Sequence, residues 1–367
     1  MDRFAFMIHP ADPKEDVARK FPLLGRYVPE SVINYLCRFF PPLSISHIRG
    51  VRSASTGKEV EGWFVACPLT PVTMMSLPME KAYRKIIQTG QLAEQLGARI
   101  VGLGAFTKVV GDAGVTVSKN LNIAVTTGNS YTVALAVQGI LEAARRMEIP
   151  PTSARVAVVG ATGSIGAVCA QILARSVAHV LLVGRRAERL KQVCRRVEAV
   201  GGAKVGISTE IQAIRQADLV VTVTSAVGAV IDAHHLKSGA VVCDVARPRD
   251  VSRQVIEARD DVLVIEGGLV TMPGKVDLGF DYGLPHHLTF GCMAETMALA
   301  LEGRFENYSL GRDLTIKQVD EIAELGHRHG FHLAGFRSFE HVISDEEIET
   351  IKRNAHQKRS WAGTSFN

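Results

Sequence analysis

The chain reads as an α/β protein built around a buried parallel sheet, and three observations predict it. Between residues 150 and 290, short Val/Ile/Leu runs alternate with helical stretches, the pattern of a parallel sheet covered on both faces. The first of these runs leads directly into three glycines, Gly160, Gly163 and Gly166, that open a helix. A length of 367 residues, with 47% hydrophobic and 22% charged residues, is ordinary for one or two globular domains.

The elements follow in order. In the first 120 residues, Gly62 to Cys67 and Ile100 to Leu103 read as strands, being short, apolar and flanked by breakers. Met79 to Leu96 reads as an amphipathic helix, with Tyr83, Ile86, Ile87 and Leu92 at helical spacing. A long helix runs from about Ser130 to Met147, capped by Asn129 or Ser130, and Pro150-Pro151 marks a domain boundary after it. Strands are then expected at Arg155 to Val159, His179 to Val183, Leu219 to Thr224, Ala240 to Asp244 and Val262 to Ile265. Helices are expected at Ile165 to Arg175 and Arg186 to Val200. Beyond Gly291 the pattern turns helical, at Met293 to Glu302 and Thr315 to His329. The domains so drawn are an N-terminal α/β substrate domain over 1–149 and a dinucleotide-binding domain over 150–290. C-terminal helices over 291–351 are expected to pack back on the first domain, and a basic, aperiodic tail over 352–367 reads as disordered.

Composition excludes several classes. A net charge of +5 is too small to imply nucleic acid. The six cysteines, Cys37, Cys67, Cys169, Cys194, Cys243 and Cys292, form no CxxC pair and no disulfide framework, which points to a reducing compartment. The N-terminus lacks the apolar core of a signal peptide and no apolar run is long enough to span a membrane, so a cytoplasmic protein is expected. The greasy stretch Val32 to Leu43 reads first as a buried helix. An acyl-chain wall or a weak membrane-surface contact are its other readings. His327, His329 and His332 lack the partners and spacing of a metal site, and no metal is expected.

The glycine triad carries the first chemistry. In VVGATGSIG, a strand followed by a helix, the first glycine permits the turn, the second lets the backbone approach a pyrophosphate, and the third lets helix and strand pack closely. Free N–H groups at the helix start and the helix dipole hold the phosphate charge. This is a Rossmann-type signature. The second strand ends Val183-Gly184-Arg185-Arg186, with two guanidinium groups where an NAD-selective site commonly places an acid. A guanidinium fork suits a 2′-phosphate, so NADPH is the expected cofactor. Its predicted contacts are Gly160, Thr162, Gly163, Ser164, Ile165, Gly166, Arg185 and Arg186, with Thr224 and Ser225 at the end of a later strand. Thr126 and Asn129, before the long helix, are expected to reach nicotinamide or substrate, helix capping being the alternative.

Cys292 follows Gly291 at the start of an expected helix, where the dipole favours a thiolate and lowers the thiol pKa. His286 and His287 are close in sequence and could add positive charge. On spacing alone, a structural cysteine at a helix start is the commoner reading. Lys108, in GLGAFTKVV, reads as a surface lysine before a catalytic one.

Several segments together carry a resemblance. They are Ser53 to Lys58 (SASTGK), Gly104 to Thr107 (GAFT), Thr126 to Thr132 (TTGNSYT), Val156 to Gly166, Glu266 to Gly268 (EGG) and Phe290 to Glu295 (FGCMAE). Glu302-Gly303, Gly311-Arg312 and Arg328 to Phe331 (RHGF) complete the set. With these motifs the chain, from about Phe4 to Phe331, resembles the cyanobacterial-type long-chain acyl-[acyl-carrier-protein] reductases, which form fatty aldehydes. The resemblance implies a shikimate-dehydrogenase-like layout and NADPH. It also implies an acyl carrier protein bearing the fatty chain (or acyl-CoA) as partner, and a thioester on Cys292. It gives Lys108, His286 and His287 no role. Two other readings remain at this point: an NADP-dependent dehydrogenase of shikimate or amino-acid type without covalent catalysis, and a non-enzymatic NADP(H) sensor.

Overall fold

The computed structural model describes residues 1–226, 228–339 and 341–364, excepting the side chains of 361–364. They form two compact units. The first joins Met1–Tyr131, Val270–Leu314 and Asp320–His332; the second joins Thr132–Leu269, Thr315–Val319 and the chain from Leu333 onward.

The second unit is built on six parallel strands. Across the sheet they run Leu263–Glu266, Val241–Asp244, Leu219–Thr222, Arg155–Val159, His179–Val183 and Lys204–Ser208. In chain order that is 3-2-1-4-5-6 read from the far edge, the doubly wound Rossmann order. The inner strands are largely Val and Leu and mostly buried because helices such as Ser164–Leu173 and Ala187–Val200 cover the sheet. The sequence pass missed Lys204–Ser208, an edge strand with no apolar run of its own.

The expected disordered tail is instead a helix, Asp345–Thr364, as far as the described residues reach. Its burial of Ile348 and Ala355 explains the order. Lys352 bonds Glu148, and Asn354 and Lys358 bond Asp260. This helix belongs to the second unit, so the C-terminal segment does not all return to the N-terminal domain as expected.

The first unit holds another six-stranded sheet, in the order Gly274–Asp277, Leu43–Arg52, Glu59–Ala66, Asp2–Ile8, Ile100–Leu103, Ala124–Thr126. The last four strands are parallel, and the first two add antiparallel. The helix Gly291–Glu302 packs on Asp2–Ile8 and Ile100–Leu103. Almost every residue of it is buried, which is why its sequence is apolar on all sides.

His9, just beyond the first strand, anchors the loop that follows Ile100–Leu103: its Nε2 accepts from the Phe106 N–H at 3.0 Å. Burial holds its pKa down at about 4. The unfolded chain takes up this proton near pH 6.5 and the folded one does not. The associated stability is therefore full above pH 6.5 and is lost as pH falls toward about 4. We expect acid to destabilise the first unit by about 3 kcal/mol through this group alone. Denaturant unfolding of His9→Gln should show a flatter pH dependence over that window; an unchanged slope would remove His9 from the account.

Candidate active site

Two sets of predicted residues lie in different units. In the second, Gly160 ends the strand Arg155–Val159 at φ +82°, and its N–H and that of Ala161 donate to the Val183 carbonyl. A methyl group on Gly160 would lie 2.5 Å from the Val223 carbonyl, and one on Gly166 2.5 Å from the Gly160 carbonyl. Gly163 caps the helix Ser164–Leu173 with no side chain accepting from its first N–H groups, which include those of Ser164, Ile165 and Gly166. The loop is therefore a backbone cradle whose donors face outward from a helix start. It lies where the strand order reverses, and it fits a dinucleotide pyrophosphate. Thr162 is half-buried beside Gly184. Arg185 and Arg186 stand exposed after His179–Val183, with no carboxylate partner among the described residues. Thr224 is engaged, its N–H and hydroxyl both donating to Asp250, while Ser225 is exposed.

The first unit gathers the rest around Cys292. Phe290 is extended, and the helix starts at Gly291, which puts Cys292 in its first turn, partly accessible. Gly128 lies against it: at φ +70°, a methyl group there would be 2.1 Å from the Cys292 Cα and 2.3 Å from its Cβ. Only glycine fits that approach. One turn on, Glu295 is fully buried and accepts from Thr126 Oγ1, from Ser309 Oγ at 2.7 Å and from the Tyr131 N–H at 2.8 Å. Thr126, expected at the cofactor, is thus buried with its hydroxyl on Glu295. Asn129 opens the helix Asn129–Arg146, buried, with its Oδ1 unpartnered among the described residues.

The electrostatics correct one expectation. The Cys292 thiol pKa is raised, not lowered. Desolvation outweighs the pull of the Lys108 ammonium and of the Met293 N–H, and the Glu295 charge adds to the rise. The same burial raises the Glu295 pKa against its three donors and Lys108. Lys108 is likewise not a surface lysine. It is half-buried, its Nζ donates to the Thr127 carbonyl at 3.1 Å, and its charge favours the thiolate of Cys292. His286 and His287 are exposed. The sequence points to Lys108 but not to its place beside Cys292, because 184 positions separate the two.

His329 is buried, its ring joining Ser53 Oγ at 2.9 Å and Glu302 at 2.9 Å. Together with the bond from the Ala54 N–H to the His329 carbonyl, this ties the SASTGK loop to the end of the helix Ile316–His329. Among the described residues, Asp232, His234 and His235 are close enough to share a cation, but Asp232 and His235 are engaged with each other in capping a turn.

Comparison with known proteins adds the lineage. Residues 142–266 match the family model of shikimate/quinate 5-dehydrogenase. The chain is 33% identical over 309 residues to the aminotransferase PigE of Serratia, covering 83% of this chain but 36% of that protein. It therefore spans about a third of that relative's length. It is 30% identical over 306 residues to the long-chain acyl-[acyl-carrier-protein] reductase of Synechococcus elongatus, covering 79% of this chain and 87% of that one. Among solved structures, L-tryptophan dehydrogenase from Nostoc punctiforme aligns with 97% of this chain and 88% of its own, at 14% identity and a TM-score of 0.42. With a cradle for a dinucleotide in one unit, the family match over 142–266 and the similarity to the Synechococcus reductase, the chain belongs to a shikimate-dehydrogenase-like family of NAD(P)-dependent oxidoreductases.

Proposed function

We propose that this protein reduces long-chain fatty acyl thioesters, carried on acyl carrier protein, to fatty aldehydes with NADPH through an acyl-enzyme on Cys292. The observation that carries the reading is the setting of Cys292: a half-buried cysteine in the first turn of a buried helix, packed on Gly128, with a lysine charge favouring its thiolate. The similarity to the Synechococcus reductase supports it.

In this reading Cys292 Sγ attacks the thioester carbonyl, the bond to the carrier sulfur breaks, and the thiol proton leaves with the carrier thiol. The oxyanion formed on the way needs a fixed positive partner, and the Lys108 ammonium supplies one. NADPH, when bound, supplies the hydride that reduces the acyl carbon. The thiohemiacetal oxyanion so formed on Cys292 collapses to aldehyde and the Cys292 thiolate, which takes up one proton from solvent. Glu295 holds Thr126, Ser309 and the start of the helix Asn129–Arg146 in place beneath the nucleophile. The Gly160–Gly166 cradle would bind the pyrophosphate, and Arg185 and Arg186 the 2′-phosphate.

The test is direct. The protein is incubated with a long-chain acyl thioester, on carrier protein and on coenzyme A in parallel, without NADPH, and its intact mass is recorded. One added acyl group, released as aldehyde on adding NADPH, is expected. No adduct with any donor would favour a dehydrogenase of small acids on the same fold.

Two predictions belong here. Removing both guanidinium groups, Arg185→Ser with Arg186→Ser, should weaken use of NADPH by roughly 10- to 100-fold and leave use of NADH nearly unchanged, read as the ratio of kcat/KM values. Lys108→Met should push the Cys292 pKa further up. The pH profile of acylation in single turnover should then move to higher pH, with Lys108→Arg restoring it.

A further inference from the structure

Twelve of the sixteen large apolar side chains that stand exposed among the described residues lie between Phe21 and Met79. They crowd three short helices of the first unit, Pro22–Tyr27, Glu30–Leu36 and Pro71–Ser76. The expectation that Val32 to Leu43 is a buried helix is therefore corrected: only one side of it is buried. Ile33 and Cys37 face inward, while Val32, Tyr35, Leu36 and Phe39, at helical spacing, face out, Tyr35 being 59% and Phe39 68% exposed. The outward face is fixed, not frayed. Cys37 Sγ lies 3.4 Å from Thr73 Oγ1, and Thr70 Oγ1 donates to Asn34 Oδ1 at 2.6 Å, so the second and third helices are joined. The third presents Val72 and Met75 outward while Thr73 and Met74 are buried, and the first presents Leu23 and Tyr27 one turn apart. Apolar exposure so concentrated marks an interaction surface.

Charge says what covers it. Arg26, Arg38, Lys81 and Arg84 stand exposed on or beside these helices with no carboxylate partner among the described residues, and the same segments carry only Glu30 and Glu80 as acids. We propose that this face docks on an anionic lipid bilayer, its Phe, Leu, Tyr and Met side chains entering the headgroup boundary and its Arg and Lys meeting lipid phosphates. No helix of the described residues is long and apolar enough to cross a membrane, so the contact is interfacial. An acidic protein would satisfy the cations but leave most of the apolar face wet. A second copy meeting this face symmetrically would oppose like charges. The helix Met79–Gln95 borders the face, and its Tyr83 hydroxyl accepts from the Asp112 N–H, in the loop that carries Lys108. This inference does not depend on the reductase reading.

The test uses the full chain, without substrate or cofactor, floated with vesicles of phosphatidylglycerol and phosphatidylcholine and with vesicles of phosphatidylcholine alone. Binding to the anionic vesicles, much weaker binding to the neutral ones, and loss with added salt are expected. Tyr35→Ser with Phe39→Ser should lower vesicle affinity roughly tenfold or more, and Arg38→Gln and Arg84→Gln about fivefold each. Thermal melts of these surface variants should match the parent, and Val342→Ser, at an exposed position in the other unit, should bind as the parent does. The proposal is overturned if the parent ignores anionic vesicles or if the face variants bind them normally. It is also overturned if those variants instead abolish a dimer seen by light scattering, or carrier-protein binding, while vesicle binding persists.

Discussion

Cys292→Ser is expected to abolish aldehyde formation, by roughly 10⁴-fold or more in kcat, while binding NADPH as the parent does. The substitution removes one sulfur atom at a position where the chain is already close-packed, so the helix Gly291–Glu302 and its buried face should survive. What is lost is the polarizable nucleophile and the leaving group that returns aldehyde from the thiohemiacetal, because a hydroxyl ionises far less readily than even a desolvated thiol. The raised thiol pKa sharpens the expectation. Acylation by the parent should accelerate with pH well past neutrality, and the variant should show no such rise. Turnover that survives in Cys292→Ser would point to direct hydride transfer without a covalent step.

Gly128→Ala carries the second large effect. A residue with a Cβ at φ +70° is strained, and here the methyl would also fall 2.1 Å from the Cys292 Cα, on backbone that cannot swing aside. Strain and overpacking together should destabilise the first unit by about 2–6 kcal/mol. Where the protein still folds, the cysteine must shift, and acylation should slow roughly a hundredfold. Thermal melting and the intact-mass assay separate the two losses. A variant as stable and as readily acylated as the parent would mean that the backbones are not in contact.

The parallel sheet and its glycine cradle were legible because both follow from local rules: buried parallel strands are continuous apolar runs, and a glycine triad between strand and helix has few other uses. The antiparallel strand Leu43–Arg52 was not read, since Ser44, Ser46, His47 and Arg49 interrupt its apolar pattern in a strand that is mostly half-buried or exposed. Cys292 could be singled out by its place at a helix start, but the direction of its pKa could not. The dipole is a property of the helix, whereas desolvation and the nearness of Lys108 are properties of the packed unit. The stretch around Tyr35 misled for the converse reason, because an apolar helical face looks the same in sequence whether protein, lipid or nothing covers it.

The interleaving of the two units also bears on how the chain emerges from the ribosome. The sheet of the second unit is complete within residues 155–266, but the helix that covers Asp2–Ile8 and Ile100–Leu103 begins only at Gly291. The segment synthesised first therefore cannot close its own core until the strands of the second unit have been synthesised as well. For that interval Phe4, Phe6 and Ile100 lack their covering helix, which makes the N-terminal third of the nascent chain the part most in need of a chaperone.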